Sequence, residues 1–261
     1  MIVYNNFEYP LNMLINLSNA TIAVSEKTLL SDVDFHVSEG EFVYIIGHVG
    51  SGKSSLLKTL YGELPVAGEG EATILGTDLH QLRRKHLPAL RRQLGIVFQD
   101  FQLLRDYTVF GNIDFVLKAT GWKKKQARHK RILEVLDEVG MKDKATSFPH
   151  QLSGGEQQCI AIARALINKP KIILADEPTG NLDHESSTQI MQLLKRICEQ
   201  GTAVVMVTHN LQMLKDFPGI VYKCASGKIH DTSDSYRSAP RDANKNSEDA
   251  QTEYHVDAQQ G

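Results

Sequence analysis

One eight-residue segment, residues 47–54, constrains this 261-residue chain more than any other. It reads G-H-V-G-S-G-K-S, the pattern of a loop that surrounds phosphate groups with backbone N–H groups. Glycines allow its tight turns, Lys53 brings a positive charge to the β- and γ-phosphates, and the Ser54 hydroxyl can bind Mg²⁺. An apolar run at residues 42–46 precedes it, and a helical pattern follows from Ser55. The sequence therefore predicts a buried strand, a phosphate loop and a helix whose N-terminus faces the anion.

The composition restricts the possible partners more than it restricts the fold. A net charge of −2 gives no general electrostatic reason to bind nucleic acid or anionic lipid. Cys159, Cys198 and Cys224 are odd in number and form no C-x-x-C pair, which favours reduced thiols in a cytosol. No apolar stretch reaches the roughly 18 residues of a membrane-spanning helix, and the first basic residue is Lys27, so no signal peptide is predicted. We expect a soluble chain that would reach a membrane only through another subunit.

Three further apolar runs resemble the strand before the phosphate loop. Residues 95–98, 172–175 and 203–207 are short and continuously apolar, as strands buried on both faces of a parallel sheet are. With the phosphate loop, these runs predict an α/β fold built on a P-loop NTPase core.

The regions around this core have other patterns. Residues 14–24 and 33–37 are partly alternating strands joined by a polar turn at residues 25–27, and residues 72–75 form another short strand. They predict an N-terminal antiparallel β portion. From about residue 100 to 165 the apolar residues have helical spacing, which predicts an α-helical lobe inserted into the core.

Polar side chains follow the three apolar runs at their carboxyl ends. Gln99 ends the first run, Asp176 and Glu177 end the second, and His209 follows the third. In α/β sheets this edge is where ligands bind. Two adjacent carboxylates are costly there unless a cation or a proton uses them, so we expect Asp176 to meet Mg²⁺ and Glu177 to take a proton from water. An acidic turn and a structural histidine are the alternatives.

Two motifs admit both a structural and a functional interpretation. Residues 152–156, L-S-G-G-E, open a helix, and Ser153 and Glu156 match a capping box. Capping does not explain the two glycines, which cost about 1 kcal/mol each in a helical turn but expose backbone N–H groups, as an anion site would need. Asp183 is likewise a natural N-cap for the helix that follows it, and capping alone would explain it.

Three charged stretches are predicted to lie in contact with solvent. Residues 79–92 and 123–131 are basic, and for both we favour a solvated helix face; for the second, Lys130 and Glu134 are spaced to pair, and a site for lipid headgroups is the alternative. Residues 231–261 contain seven acidic and three basic residues without apolar periodicity, which predicts a disordered polar tail.

The order and spacing of the motifs resemble the ABC-transporter ATPases over about residues 14–230, which we interpret as one ABC ATPase domain. The matching motifs are the phosphate loop, Gln99 as the Q-loop, residues 152–156 as the signature, residues 172–177 as the Walker B strand, residues 181–183 as the D-loop and His209 as the H-loop. Within that family, residues 97–106 and 180–183 are similar to the group that contains the FtsE, LolD and MacB families. Residues 56–62 and 101–109 look most like the FtsE family.

This resemblance implies a head-to-tail homodimer with two ATP molecules between its subunits. Each ATP would contact the phosphate loop of one chain and Ser153 and Gly155 of the other, and Asp183 would tie the two sites together. The implied nucleotide-binding set is Gly47, His48, Val49, Gly50, Ser51, Gly52, Lys53, Ser54, Ser55, Ser153, Gly155 and Asp183. Ser54, Gln99 and Asp176 would hold Mg²⁺. Glu177 would polarise the attacking water, His209 would contact the γ-phosphate, and Gln99 would act with them in catalysis.

The resemblance also implies a membrane partner. The helical lobe beside Gln99 would form the groove for a cytosolic helix of an integral membrane, permease-like subunit, FtsX-like if the FtsE similarity holds. The chain would then act in cell division at the cytoplasmic face of the inner membrane, without nucleic acid; lipoprotein release or efflux of the LolD or MacB type is the alternative. An ABC ATPase for DNA or ribosomes would usually carry a long coiled coil or a tandem domain, and the chain has neither heptads nor an internal repeat. A nucleotide-binding scaffold that hydrolyses little would not need Glu177 and His209.

Two positions depart from the family pattern. Cys159 stands where an arginine usually follows the signature glutamines, which puts contacts of that helix in question. Ala23, or its neighbours Ile22 and Val24, stands where an aromatic residue usually stacks on adenine. The second departure puts nucleotide affinity and base selectivity in question.

Overall fold

The structure is a computed structural model that describes residues 12–24 and 27–237. The strands are β1 (Met13–Val24), β2 (Lys27–Ser38), β3 (Phe42–Gly47), β4 (Val66–Ala67), β5 (Glu71–Ile74), β6 (Thr77–Asp78), β7 (Leu94–Val97), β8 (Ile172–Asp176), β9 (Ala203–Val207), β10 (Ile220–Ala225) and β11 (Lys228–Asp231). The helices are α1 (Lys53–Leu60), α2 (Leu87–Arg91), α3 (Val109–Ala119), α4 (Lys125–Glu138), α5 (Gly154–Leu166), α6 (His184–Glu199), α7 (Gln212–Asp216) and α8 (Ser233–Arg237). Single 3₁₀ turns lie at Lys142–Lys144 and Pro149–Gln151.

The central sheet has the strand order β11-β10-β3-β9-β8-β7, and all of its pairs are parallel except β10 with β11. Successive side chains of β3 point to opposite faces, as strand geometry requires. Phe42, Tyr44 and Ile46 enter the core formed with the helices, whereas Val43 and Ile45 enter the core formed with the second sheet. Both faces of β3 are therefore buried, which explains why its sequence is apolar without alternation.

The second sheet is antiparallel, with the order β2-β1-β5-β6 and β4 paired to β1. It covers one face of the central sheet, so the predicted N-terminal antiparallel β portion is confirmed. Its second strand begins at Lys27 rather than at Val33, because Thr28 pairs with Ala23 and Leu30 pairs with Ile22. Residues 25 and 26 of the predicted turn lie outside the described residues.

The chain between β7 and β8 forms the inserted helical lobe. β7 and β8 are neighbours in the central sheet, and α3, α4 and α5 lie between them in sequence. The three helices pack on one another, and α5 also packs against β7. Within the ranges 12–24 and 27–237 no helix is long and apolar enough to cross a lipid bilayer.

The interpretation of residues 123–131 as a solvated face is partly wrong. Lys130 does lie 4.0 Å from Glu134, as predicted. Arg128 and Arg131, however, are buried. Arg128 Nε donates to Asp114 Oδ1 at 2.6 Å, and Arg131 donates to backbone carbonyls at the end of α5. These two cations stabilise the lobe from inside because carbonyls and a carboxylate replace their water.

The predicted boundary of the disordered tail is also wrong. Asp231 ends β11, and residues 233–237 form α8. Ser233 is buried, where its hydroxyl accepts from Val221 N at 3.0 Å and donates to Asp231 Oδ1 at 2.5 Å. These polar contacts fix the segment to β10 without the apolar spacing that sequence patterns detect. Residues 238–261 of the predicted tail lie outside the described residues.

The basic stretch at residues 79–92 is helical only over α2. The residues before it form turns, so most of this stretch is not the solvated helix face that its sequence suggests. Pro88 at the start of α2 fits this assignment, because proline is favoured in a first helical turn.

Candidate functional site

The phosphate loop connects β3 to α1 as its sequence predicts. Lys53, the first residue of α1, is only 7% exposed. Its Nζ donates to the carbonyls of Gly47 and His48, each at 2.7 Å. The ammonium group therefore lies over the loop, where phosphate oxygens would be stronger acceptors than the two neutral carbonyls.

Two glycines of the loop are required by close neighbours. Gly47 has φ of 144°, and a Cβ there would lie 2.4 Å from the Cys224 carbonyl oxygen. Gly52 has φ of 98°, and its Cβ would lie 2.9 Å from Leu30 Cγ. Since Leu30 pairs with Ile22 across β1 and β2, this contact places the end of β1 beside the start of α1. The loop thus sits between β10 and the tip of the N-terminal hairpin.

The loop also contains a buried polar atom without a hydrogen-bond partner among the described residues. Ser51 Oγ is buried, and none of the described residues offers it a hydrogen-bond partner. An unpaired buried hydroxyl costs about 1–3 kcal/mol, which an anion in the loop would recover. With Lys53 and the N-terminus of α1 beside it, the loop fits a chain of phosphates.

Ser54 and Asp176 meet at the mouth of the loop. Ser54 Oγ donates to Asp176 Oδ1 at 3.1 Å. Burial is the main cause that raises the pKa of Asp176, and the Glu177 charge adds to it, while the Ser54 hydroxyl and Lys53 act in the opposite direction. Two hard oxygen donors this close suit Mg²⁺, which typically takes one or two protein ligands and completes its shell with phosphate and water. No cluster of three His, Cys, Asp or Glu that could hold a metal occurs in the described part of the chain.

Glu177 and His209 form the second pair at this edge. Glu177 Oε1 lies 2.9 Å from His209 Nδ1, and His209 N donates weakly to Oε2 at 3.4 Å. Glu177 has φ of 48°, a left-handed conformation that costs a glutamate about 1–3 kcal/mol. Its own N–H donates to the Val207 carbonyl at 3.0 Å, which holds the strained residue between β8 and β9. The carboxylate is thus fixed where it could accept a proton.

The third predicted metal ligand lies elsewhere. The Gln99 carbonyl accepts from Asn181 Nδ2 at 3.1 Å, and Gln99 Nε2 lies 3.5 Å from where a Cβ of Gly180 would be. Gln99 therefore lies against the D-loop, and among the described residues no hydrogen bond joins it to Ser54 or Asp176. The structure brings together two of the three predicted ligands.

The signature and D-loop residues serve as helix caps within one chain. Ser153 Oγ accepts from Glu156 N at 3.2 Å, and Glu156 Oε2 accepts from Ser153 N at 2.8 Å, so the capping box is confirmed. A Cβ on Gly155 would lie 2.9 Å from Ser186 Oγ, so this glycine is needed for packing against α6. The Asp183 carboxylate accepts from Ser186 N at 2.9 Å and from Ser186 Oγ at 2.7 Å, and the first of these bonds is the main cause that lowers its pKa. Within the described ranges none of these residues forms a hydrogen bond with Lys53 or Ser54.

The sequence reasoning missed two buried or half-buried polar residues near Gln99. Asn112 is 1% exposed and makes four hydrogen bonds of 2.8–3.1 Å to the backbone of Leu104, Tyr107 and Thr108. Arg164 donates to the carbonyls of Phe101 and Gln102. Both are polar residues inside apolar helical stripes, which is the signal that could have identified them.

Two cavities adjoin these elements. One of about 280 Å³ lies between β7, α2, α3 and α5, and its walls include Arg91, Arg92, Ile96, Val116, Ala119 and Arg164. Tyr107 and Phe115 are exposed on the same lobe with ring centroids 6.3 Å apart. The other cavity, of about 440 Å³, is lined by Gly47, His48, Val49, His209, Lys223 and Tyr236.

Comparison with known proteins gives a consistent result. The model of the ABC transporter family matches residues 30–180. The cell division ATP-binding protein FtsE of Streptococcus pneumoniae (serotype 2, strain D39) is 45% identical over 202 residues, which cover 77% of this chain and 87% of that protein. FtsE of Bacillus subtilis (strain 168) is 45% identical over 200 residues with the same coverage. The dimeric post-hydrolysis state of the ATP-binding cassette MJ0796, bound to ADP and Pi, has a TM-score of 0.73 at 37% identity, over 83% of this chain and 97% of that one.

Proposed function

The chain belongs to the ABC transporter family and is an FtsE-like ATP-binding cassette, and on that basis we propose that it hydrolyses ATP to drive a membrane partner in cell division. The main support for the proposal is that two polar pairs lie at the carboxyl edge of the central sheet, beside the phosphate loop. Ser54 pairs with Asp176, and Glu177 pairs with His209. The relatives favour cell division over the alternative of lipoprotein release or efflux.

The residues of this edge divide the reaction among them. Backbone N–H groups of residues 47–55 and the Lys53 ammonium bind the phosphates, and the Ser51 hydroxyl gains the partner that it lacks. Ser54 and Asp176 would hold Mg²⁺, which would supply positive charge to neutralise the phosphate oxygens. Glu177 accepts a proton from the attacking water, and His209 orients Glu177 and contacts the γ-phosphate. Gln99 lies against the D-loop in the isolated chain, and we assign it a role beside these groups when nucleotide and a second copy are bound.

The remaining predicted residues act from a second copy of the chain. Ser153, Gly155 and Asp183 lie at the start of α5 and α6, away from the phosphate loop of their own chain. In a head-to-tail dimer they would meet the phosphates bound by the partner copy. The dimeric cassette MJ0796, described with ADP and Pi, supports this arrangement. ATP then joins two copies, and hydrolysis separates them.

The helical lobe supplies the surface for the membrane partner. The exposed rings of Tyr107 and Phe115 lie on the lobe that follows Gln99 in the chain, and the 280 Å³ cavity lies between that lobe and the α2–β7 segment. Arg91 and Arg92 at the cavity favour a partner segment that carries acidic groups. We assign this surface to a helix of an FtsX-like integral membrane subunit, which would hold the chain at the cytoplasmic face of the inner membrane.

A catalytic and a structural readout test the proposal together. Glu177→Gln should bind ATP, lose about 10²- to 10⁴-fold in hydrolysis rate, and become an ATP-dependent dimer, because a positioned base is removed while the binding groups stay. Mg²⁺-dependent phosphate release and light scattering measure both effects. Lys53→Ala is the control that should lose binding as well. Turnover of Glu177→Gln within about threefold of the wild-type chain, or a monomer with ATP, would refute the assignment.

A further inference from the structure

A sharp backbone corner begins two residues after Gln99. Phe101 and Gln102 have φ of 58° and 52°, so two consecutive non-glycine residues lie in the left-handed region. A Cβ crowds the following carbonyl in that region, and such conformations persist only where surrounding contacts hold them. This corner therefore needs a clamp.

Arg164 of α5 provides that clamp. Its Nη2 donates to the Phe101 carbonyl at 2.8 Å, and its Nη1 donates to the Gln102 carbonyl. The guanidinium is planar and presents its donors in a fixed fork, so one side chain orients both carbonyls at once. The side chain of Gln102 makes local bonds to the Asp100 carboxylate at 2.9 Å. Arg164 ties the corner to α5 by hydrogen bonds, and the Phe101 ring also lies near the start of α5, with its Cζ 4.0 Å from where a Cβ of Gly154 would be.

Gln99 lies between this corner and the D-loop. Its carbonyl accepts from Asn181 Nδ2, so the residue is held on one side by the D-loop. On the other side the chain turns directly into Phe101 and Gln102. If those two residues relaxed to right-handed or extended φ values, the direction in which the chain leaves Gln99 would change.

We propose that Arg164 is a positioning residue for ATP hydrolysis, which keeps Gln99 in its working place by holding Phe101 and Gln102 in the left-handed conformation. The inference rests on the role proposed above for Gln99. Arg164 also lines the 280 Å³ cavity. A partner helix seated in that cavity would therefore lie against the same guanidinium that fixes the Q-loop, so docking and hydrolysis share one side chain.

The chain contains a matched control for the loss of this clamp. Arg131 is a buried arginine that also donates to two consecutive backbone carbonyls, Leu166 at 3.0 Å and Ile167 at 3.1 Å. Its two bonds close the end of α5, and in the described part of the chain no hydrogen bond or ion pair links it to the Q-loop. Loss of either arginine removes two hydrogen bonds to carbonyls, and loss of Arg131 also removes its ion pairs with Glu134 and Glu138. Only loss of Arg164 releases the corner beside Gln99.

The first experiment compares Arg164→Ala with Arg131→Ala in the full-length chain, with ATPase kinetics, ATP affinity and melting temperature as readouts. Arg164→Ala should lower kcat by about 10- to 100-fold while KM and ATP affinity change by less than about twofold, because the phosphate loop is intact and only the geometry of Gln99 is lost. Arg131→Ala should lower the melting temperature without lowering kcat. Arg164→Lys, which can reach one carbonyl at a time, should lie between the wild-type chain and Arg164→Ala.

The second experiment tests the backbone mechanism itself. Glycine adopts positive φ without the steric penalty, so adding Gln102→Gly to Arg164→Ala should restore kcat at least about threefold. Adding Arg105→Gly, on an exposed residue without positive φ, should restore nothing. If Arg164→Ala fails to fold, Gln102→Val in the otherwise unchanged chain should lower kcat, because a β-branched residue is disfavoured at positive φ. Arg105→Val should not.

The outcomes separate this inference from the proposed function. A wild-type chain without ATPase activity, or one whose activity survives Lys53→Ala, would refute the proposed function. With that activity in place, a kcat of Arg164→Ala within about twofold of wild type, or equal rescue by Gln102→Gly and Arg105→Gly, would overturn the role of Arg164 alone.

Discussion

The carboxyl edge of the central sheet and the helical lobe use polar side chains in different ways. At the sheet edge they pair with each other, as Ser54 does with Asp176 and Glu177 with His209. In the lobe they bind backbone groups, as Asn112 does in the loop before α3. The pairs at the edge join side chains that end or follow different strands, whereas the bonds of Asn112 hold the backbone of one loop. We infer that the polar residues at the sheet edge act in catalysis, whereas the polar residues of the lobe fix its backbone conformation.

The largest expected effect breaks a pair at the sheet edge. Asp176→Asn should lower ATP hydrolysis by about 10²- to 10³-fold, because a charged oxygen that stabilises the transition state is replaced by a neutral one. Steady-state phosphate release at saturating ATP measures it. If the lobe shared the chemistry, Asn112→Ala would lower the rate of the folded enzyme as strongly.

The same substitution should have the opposite effect on stability. Since burial raises the pKa of Asp176 in the folded chain above its ordinary value of about 3.9, its contribution to stability is complete below that value and is lost as pH rises through the folded pKa. At neutral pH, without nucleotide or Mg²⁺, Asp176→Asn should therefore melt higher than the wild-type chain. The difference between the two melting curves should shrink as pH falls. A lower melting temperature for Asp176→Asn at neutral pH would contradict the cost assigned to this carboxylate.

A lobe residue should show the reverse pattern. Asn112→Ala leaves buried backbone groups of residues 104–108 without partners and should cost about 1–3 kcal/mol of unfolding free energy. ATP affinity should stay unchanged, because all four hydrogen bonds of Asn112 go to residues 104–108 and none goes to the phosphate loop. Thermal denaturation followed by circular dichroism, with a fluorescent-nucleotide titration, measures both. Asn168→Ala, which removes one bond to Thr120, is the control and should cost less.

The end of β1 tests whether the sheet edge binds the base as well as the phosphates. Ile22 is fully buried and cannot stack on a ligand, whereas Val24 is 40% exposed and Ala23 is half-buried. Ala23→Tyr or Val24→Tyr should add a stacking contribution of about 0.5–1.5 kcal/mol, roughly a two- to thirteenfold tighter ATP Kd. Titration in the Glu177→Gln background avoids turnover. No gain in either variant would mean that another residue contacts adenine.

The smallest expected effect lies on the outer face of the lobe. Lys130 is 81% exposed, and its pair with Glu134 spans 4.0 Å, so Lys130→Ala should change the unfolding free energy by less than about 0.5 kcal/mol. Denaturant titration should distinguish it from Arg131→Ala one residue later. If Lys130→Ala and Arg131→Ala lowered the unfolding free energy equally, the burial of Arg131 would not explain its expected larger contribution to stability.

The sheet edge was predictable because its signals are local. Each buried strand is a continuous apolar run, and the side chain that matters follows it within two residues, as with Asp176, Glu177 and His209. The parallel arrangement then brings these ends together without further information. This topology predicts that Asp176, Glu177 and His209 converge, whereas the direct pairing of Glu177 with His209 became visible only in the structure.

The lobe and the Q-loop were less predictable because their contacts are distant in sequence. The left-handed backbone conformation of Gln102 cannot be predicted from its residue type, because glutamine does not favour positive φ. The arginine that holds this conformation lies 62 residues away in the chain. From sequence, Arg131 is predicted to be an exposed charge in a basic stretch. Its burial follows from contact with the carbonyls at the end of α5, about 35 residues later in the chain. Ser233 fixes the segment after β11 through hydrogen bonds. Such contacts cannot be predicted from the spacing of apolar residues.

The placement of α8 has a practical consequence for anyone who modifies this chain. Tyr236 lines the 440 Å³ cavity together with Gly47, His48 and His209, so the last described helix ends beside the phosphate loop. A fluorescent protein or affinity tag joined directly after Arg237 would begin next to the loop that receives nucleotide. Reporters for this chain are better inserted at Gly76, in the exposed turn between β5 and β6, whose Cβ position has open space around it.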